Sequence, residues 1–313
     1  MELSGKAYII LLNYNGTDNT YECLQSLDTL YDTNYQVIVI DNHSRQAEYD
    51  KLLLLCKDRL VQIHDEKDLE SAVDDKDDEL VILRTSQNNG YNAGFNAGLK
   101  YISIRGGDYD CAWFLNNDIL VNPYALTALR ERQKKTGAAG IGSVICDAVE
   151  KKQVQYVGSR WVGDNFEIKG VFAGVPYCAV EENESIDCLP GPAFLLTKDF
   201  INKIHLFEER YFLYCEESEL AECARLFGAR FTYAKDSIVY HKGSCTTNNS
   251  CVSFRDYHLA RSHAIFLSKW HPDCLPLMQK KVFLFVCKQL KHLHIKRAWA
   301  ALWGMKKGMM VGR

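Results

Sequence analysis

Ala7-Tyr8-Ile9-Ile10-Leu11-Leu12 is an apolar run with no polar alternation, the form expected of a parallel strand covered on both faces. It breaks at Asn13-Tyr14-Asn15-Gly16-Thr17-Asp18, a turn from which a helix departs with Cys23, Leu24, Leu27 and Leu30 on one side. A second strand over Gln36 to Ile40 stops at Asp41-Asn42-His43-Ser44, and a third, Leu80 to Leu83, leads into a helical stretch carrying Gly90, Gly94 and Gly98. A fourth, Ala112 to Leu115, breaks into Asn116-Asn117-Asp118 before turning apolar again at Ile119. Strands alternating with helices, each strand ending in Asn or Asp, predict an α/β chain with a Rossmann-like, mostly parallel sheet flanked by helices.

The second half reads less regularly. Pro123 starts a helix over Ala125 to Gln133, and Gly140 to Cys146 is a short strand. Gln155 to Tyr177, rich in glycine and aromatics, predicts a hairpin or loop, and Pro190-Gly191-Pro192 a stiff turn feeding a buried strand through Leu196. That turn is either a wall of a pocket or a turn and nothing more. Phe207 to Tyr214 reads as an aromatic, strand-like run ending in Glu216-Glu217-Ser218-Glu219, after which a helix passes through Leu220, Cys223, Ala224 and Phe227 to close at Gly228. Phe231 to Ala234 and Ile238 to Tyr240 predict two short strands, the second ending at His241. From Cys251 the pattern turns helical, which divides the chain into a sheet domain over 1–250 and a helical region over 251–313.

Charge sharpens that division. Residues 280–313 hold nine Lys or Arg and no acid, interleaved with Phe283, Leu284, Trp299 and Trp303; removing the nine from a total of −3 leaves about −12 for the remainder. Basic residues beside Trp and Leu on amphipathic helices suit an anionic membrane face, with a basic cap that packs on the domain and never meets lipid as the competing reading. Asp65 to Glu79 holds nine acids against two lysines and predicts a solvated segment. Nothing marks a nucleic-acid binder. Twelve cysteines without a paired framework are expected as reduced thiols. No apolar run reaches the eighteen or so residues of a membrane span, and the amino terminus lacks the layout of a signal peptide. Together these predict a cytoplasmic location, peripheral at the inner membrane face if the tail meets lipid.

Candidate chemistry gathers at the strand ends. Asp118 at the carboxyl rim of the sheet, preceded by two amides, suits a divalent cation whose remaining positions are filled by phosphate oxygens and water; the competing reading is a turn that caps a strand. The acids from Glu216 complement a helix dipole, or, desolvated behind the aromatic run, have raised pKa values and serve as a general base. His241 at a strand end is a structural residue or a ligand. Glycines at 90, 94 and 98 allow close approach of a ligand, or of the helix to the sheet. Cys245, Cys251, His258 and His263 fit no standard zinc spacing. There is no Gly-x-Gly-x-x-Gly after the first strand, which argues against a dinucleotide dehydrogenase.

In their order and spacing these stretches resemble the family 2 glycosyltransferases over about residues 7 to 245, with the rhamnosyltransferase-like branch nearest. The quoted residues are Asn13-Tyr14-Asn15-Gly16, Asp41-Asn42-His43-Ser44, Asn89 to Asn96, Asn116-Asn117-Asp118, Pro190-Gly191-Pro192-Ala193, Tyr214 to Leu220 and Val239-Tyr240-His241. The resemblance implies a GT-A fold with a C-terminal basic helical extension. It implies an inverting hexosyltransferase that uses dTDP-rhamnose or a UDP-sugar, with a glycan or lipid-linked glycan acceptor in surface polysaccharide synthesis. Asp41 would contact the base, with Asn13, Asn15, Asn89, Gly90, Asn96 and Asn117 beside the nucleotide. Asp118 and His241 would hold magnesium or manganese, and Glu217, with Glu216 beside it, would be the base. Position 116 is Asn where the family has Asp, and the acidic motif has Glu where Asp is commoner, leaving the base open between Glu216 and Glu217. Two other readings compete. A sugar-nucleotide nucleotidyltransferase would need a glycine-rich loop with arginine and lysine that Asn13 to Asp18 does not supply. A non-enzymatic protein would bind membrane through 280–313.

Overall fold

The computed structural model describes residues 5–74, 80–106, 108–163, 166–243 and 252–312. Strands β1 (Lys6–Asn13), β2 (Tyr35–Asp41), β3 (Val61–Asp65), β4 (Leu80–Arg84) and β5 (Tyr109–Asn116) are followed by β6 (Ile119–Val121), β7 (Gly140–Asp147) and β8 (Val154–Tyr156). A hairpin of β9 (Ser159–Val162) and β10 (Glu167–Gly170) stands apart, and β11 (Ala193–Thr197) and β12 (Phe231–His241) complete the strands. The main sheet has ten strands in the order β3-β4-β2-β1-β5-β11-β7-β12-β6, with β8 beside β7. From β3 to β5 all neighbours are parallel, β11 runs antiparallel between β5 and β7, and β12 is parallel to β7. The α/β class with a mostly parallel sheet is therefore as expected.

Helices α1 (Thr17–Leu27), α2 (Gln46–Leu55), α3 (Tyr91–Arg105), α4 (Ala125–Thr136), α5 (Lys198–Ile204) and α6 (Glu216–Leu226) flank the sheet. The continuous apolar runs are explained by two cores: Tyr8 and Ile10 of β1 pack on one face, Ala7, Ile9 and Leu11 on the other. Gly94 and Gly98 bring α3 onto the sheet, since a Cβ at these positions would lie 2.4 Å from Leu12 and 2.8 Å from Ile10. Close packing, not ligand approach, accounts for both.

Three expectations need correction. Strand β3 carries no clear apolar run and its Ile63 is exposed, so periodicity misses it. Residues 231–240 form one strand, whose register against β7 shifts between Ala234 and Ile238 and gives the sequence its interrupted look. Phe207 to Tyr214 forms no strand. Its aromatics serve different neighbours: Phe207 enters the main core, Tyr211 is fully buried beside the C-terminal helices, and Phe212 packs on Phe254 and His258. The acidic segment is a short 3₁₀ stretch over Glu66–Asp74 with Leu69 tucked in; residues 75–79 of that prediction lie outside the described residues.

Helices α7 (Val252–Trp270), α8 (Leu275–Lys291) and α9 (Ile295–Val311) form the C-terminal layer. On α9, Ala298, Ala301, Gly304 and Gly308 are buried, and a Cβ on Gly304 or Gly308 would lie 2.2 Å from the carbonyl oxygen of Tyr257 or Arg261. Small residues thus let α9 settle onto the α7 backbone, and Arg297 fixes the end of the contact through two bonds to Asp256, at 2.6 and 3.2 Å. The packing-cap reading of the tail holds for this face. Among the described residues no helix is long and apolar enough to cross a membrane.

Candidate active site

The polar residues that end β1, β2 and β5 interlock. Asn13, fully buried, donates through its side-chain amide nitrogen to Asp41 Oδ1 at 2.9 Å, and its Oδ1 accepts from the Thr20 hydroxyl at 2.9 Å, the Asn117 side-chain amide at 3.1 Å and the Gly16 backbone amide at 3.2 Å. Asp41 also accepts from the Ser44 amide at 3.2 Å and lies 3.6 Å from the Arg84 guanidinium. Burial pushes the Asp41 carboxyl up against the pull of these bonds. Asn13 and Asp41 thus brace the strand ends from below, while Asn15, Gly16, Gly90 and Asn117 line a cleft of about 1350 Å³ that opens above them. Asn89 is exposed and stands outside the cleft. Asn96 is corrected outright. It is fully buried and bonds to Phe207 and Glu209, bracing the 207–209 loop on the far side of α3. Gly90 sits at φ 102°, and a Cβ there would meet the Phe212 backbone at 2.4 Å, so glycine is required where that loop crosses the start of α3.

Asp118, in the turn between β5 and β6, and His241, at the end of β12, are drawn together because β12 pairs with β6. Both are nearly buried, both line the cleft, and His241 Nε2 stands 3.3 Å from Asp118 Oδ2. Gln155 of β8 puts its carbonyl oxygen 2.9 Å from His241 Nδ1, and its own amide nitrogen is 3.4 Å from Asp147 Oδ2. An oxygen facing Nδ1 requires the proton there, so that the tautomer which can ligate a cation turns its Nε2 lone pair toward the Asp118 carboxylate. Two acceptors so placed suit a shared cation. Asn116 adds a buried side-chain oxygen, without a hydrogen-bond partner, on the same cleft. Among the described residues no cluster of three or more His, Cys, Asp or Glu forms a complete metal cage, and two members of the poorly spaced zinc set, Cys245 and Cys251, lie outside them.

Across the cleft, Tyr214 and Cys215 both take positive φ, 72° and 68°, and this kink starts α6 with its acids divided. Glu216 and Glu217 line the cleft, whereas Glu219 is buried under three donors: Lys269 at 2.5 Å, Trp270 at 2.6 Å and Tyr211 at 2.8 Å. Glu222 is likewise taken, by His271 at 2.6 Å and Arg225 at 2.7 Å. Only the first two acids are therefore free for chemistry. Burial pushes the Glu216 carboxyl well up, the charge of Glu217 adding to it, and burial raises Glu217 as well. One oxygen of Glu216 has no hydrogen-bond partner. Glu217 lies against Gly191, where a Cβ would be 2.2 Å from its Oε1, so Pro190-Gly191-Pro192 is indeed a wall of the site.

Several contributors escaped sequence reading. Tyr91 donates to the Gly191 carbonyl at 2.6 Å and lines the cleft with Tyr156; a tyrosine at a helix start gives no signal of this. Gln155 had none either. The hairpin β9–β10 was expected as hairpin or loop, and its Phe166 and Ile168 reach the cleft together with Leu259 and Phe266 of α7 and Val282 of α8.

A family model described as Glycosyl transferase family 2 matches residues 8–172, more than half of the chain. No curated protein matches the sequence. Among solved structures, GalNAc-T7 with UDP, GalNAc and Mn2+ is similar at 12% identity and a TM-score of 0.59, over 86% of this chain and 49% of that one. Mannosyltransferase PcManGT from Pyrobaculum calidifontis, in complex with GDP-Man and Mn2+, is 10% identical with a TM-score of 0.55, over 100% of this chain and 90% of that one. S. aureus TarS 1-349 in complex with UDP-GlcNAc is 15% identical with a TM-score of 0.51, over 84% of this chain and 66% of that one. The chain thus spans about half the length of the first. At these identities the likeness shows a shared GT-A fold.

Because Glu216 holds its proton more tightly when folded than unfolded, folding takes up protons between the ordinary glutamate value and the raised one. Stability from this source is present at low pH and lost as pH rises through that window. Glu216→Gln should therefore raise the melting temperature at pH 7.5, with the difference vanishing near pH 4; a difference that is the same at both values would contradict the shift.

Proposed function

Because the chain belongs to glycosyl transferase family 2, we propose that it moves a hexose from a nucleotide-diphosphate donor to a hydroxyl of a glycan or lipid-linked glycan, with inversion. dTDP-rhamnose and UDP-sugars are the donors to try first, and surface polysaccharide synthesis is the setting. The observation that carries this reading is that the Asp118–His241 pair and the Glu216–Glu217 pair open into one cleft.

Glu217 is assigned as the base. Its carboxylate takes the proton from the acceptor hydroxyl as that oxygen bonds to the anomeric carbon. The bond from that carbon to the donor diphosphate breaks on the opposite side, and its electron pair leaves with the nucleoside diphosphate. A raised pKa makes the carboxylate a more avid proton acceptor. Asn15, Gly90 and Asn117 face the donor, and Asp41 and Asn13 are assigned supporting positions beneath the nucleotide. Asp118 and His241 would hold magnesium or manganese, which, when bound, neutralises charge on the diphosphate.

The outer stripe of α9 exposes Ile295, Trp299, Leu302, Trp303 and Met310 beside Lys296, Lys306 and Lys307, which supports our assignment of this stripe to an anionic membrane surface at the cytoplasmic face. No acid in 280–313 opposes that contact.

Glu217→Gln should lower the transfer rate roughly 100-fold to 10,000-fold, while a thermal-shift titration shows donor binding retained. Normal turnover would remove Glu217 from its role, and pyrophosphate instead of nucleoside diphosphate as product would make the chain a nucleotidyltransferase. Gln155→Leu frees the His241 ring, and manganese affinity measured by calorimetry with UDP present should fall about 10-fold to 100-fold; an unchanged Kd would separate Gln155 from the cation. The protein should co-sediment with phosphatidylglycerol vesicles and not with phosphatidylcholine, and lose this in Trp299→Ser/Trp303→Ser. Equal recovery with both lipids would refute the electrostatic contact.

A further inference from the structure

The cleft is larger than a donor needs. Ligand pockets usually span roughly 300 to 1000 Å³, and this one holds about 1350 Å³. Its polar part runs from Asn15 and Asn117 past Asp118 to Glu217 and ends at the 212–218 kink. Beyond it the lining changes character. Leu259, His263 and Phe266, at i, i+4 and i+7, share one face of α7 toward the cleft. Met278 and Val282 repeat this on α8, and Ile168 closes the third side from the β9–β10 hairpin. Phe266 and Met278 are 1% and 2% exposed and form the floor, while Ile168 and Leu259 are 52% and 50% exposed at the mouth. Glu167 and Lys281, the charged residues of this arm, form an ion pair with each other.

We infer that this apolar arm is the acceptor subsite and takes the hydrocarbon chain of a lipid-linked acceptor, whose sugar or phosphate end then lies at Glu217. The inference rests on the glycosyl-transfer reading of the same cleft. A second sugar ring is disfavoured as the occupant, because beyond His263 and the mutually paired Glu167 and Lys281 its hydroxyls would leave water for the apolar side chains of Ile168, Leu259, Phe266, Met278 and Val282. An alkyl or prenyl chain loses nothing there and buries apolar surface along the whole arm. Placement agrees: α8 lines the arm, and α9, beside it, carries the exposed stripe of tryptophans and lysines.

The test uses n-octyl β-D-glucoside and methyl β-D-glucoside, titrated below micelle formation, with and without UDP, into the full chain. The octyl compound should bind at least about 100-fold more tightly, as seven additional methylenes become buried. Leu259→Asp and Val282→Asp should abolish that preference and leave UDP affinity unchanged, while Trp299→Ser/Trp303→Ser should keep it. Ile168→Asp, at an exposed mouth position, provides the same readout if the helix variants fail to fold. Equal affinity for the two glucosides, or an octyl preference that survives Leu259→Asp, Val282→Asp and Ile168→Asp, overturns the subsite. Failure of the catalytic reading shows elsewhere, as absence of UDP binding or as full transfer by Glu217→Gln, so the two claims fall separately.

Discussion

The carboxylate of Glu219 decides what the rest of the active site can be. It is 4% exposed, a position that costs several kcal/mol for an unpaired charge, and three donors satisfy it: Tyr211 from the loop before α6, and Lys269 and Trp270 from the end of α7. The next turn repeats the arrangement, with His271 on Glu222 and stacked on Phe166 of the hairpin at 3.5 Å between ring centres. These bonds tie together α6, α7 and the hairpin. They also remove Glu219 and Glu222 from chemistry and leave Glu216 and Glu217, one turn earlier and rotated toward the cleft, as the two acids without such partners.

The opposite wall is held by amides gathered around one buried carboxylate, Asp41. Asn13 joins the ends of β1, β2 and β5 through its two functional atoms, and Asn117 is bonded to Asn13, Gly16 and Thr20. This is why the strand-end asparagines stood out in the sequence, and why a good part of them turn out to be supports. A buried amide satisfied on every side cannot also reach a ligand. Residues one step further along each turn face the cleft, among them Asn15, Asn117 through its remaining surface, and Asp118, joined by Asn116 with its unpartnered oxygen.

The parallel half of the fold was legible because a strand buried on both faces is written as an unbroken apolar run, as in Ala7 to Leu12. Strand β3 was not, being half exposed at the sheet edge. The Asp118–His241 pair was legible as two strand ends, although only the β12–β6 pairing, a long-range fact, brings them within 3.3 Å. Gln155 could not be read at all, since its role depends on one hydrogen bond from a three-residue strand. Phe207 to Tyr214 misled because an aromatic run has the composition of a strand, and only the tertiary demand for Tyr211 at Glu219 and Phe212 at α7 breaks it into a loop. The tail presented two readings, a packing cap and a membrane face. The structure shows the packing side, glycine and alanine inward against α7, and leaves tryptophan and lysine on the outward side, where the membrane reading is a proposal.

That two-sidedness has a mechanical consequence. Gly304 and Gly308 place α9 directly on carbonyl oxygens of α7, leaving no side-chain layer to act as a cushion. The far end of α7 is in turn fastened to α6 through Glu219 and Glu222. Interiors packed this closely transmit displacement and do not absorb it, so the outer stripe of α9 has a fixed orientation relative to Glu217. A basic segment on a flexible tether would merely raise the local concentration of enzyme near a charged surface. Mounted this way, the same segment would, on the proposed membrane reading, also set the angle at which the cleft meets that surface, with Ile168 and Leu259 exposed at its mouth.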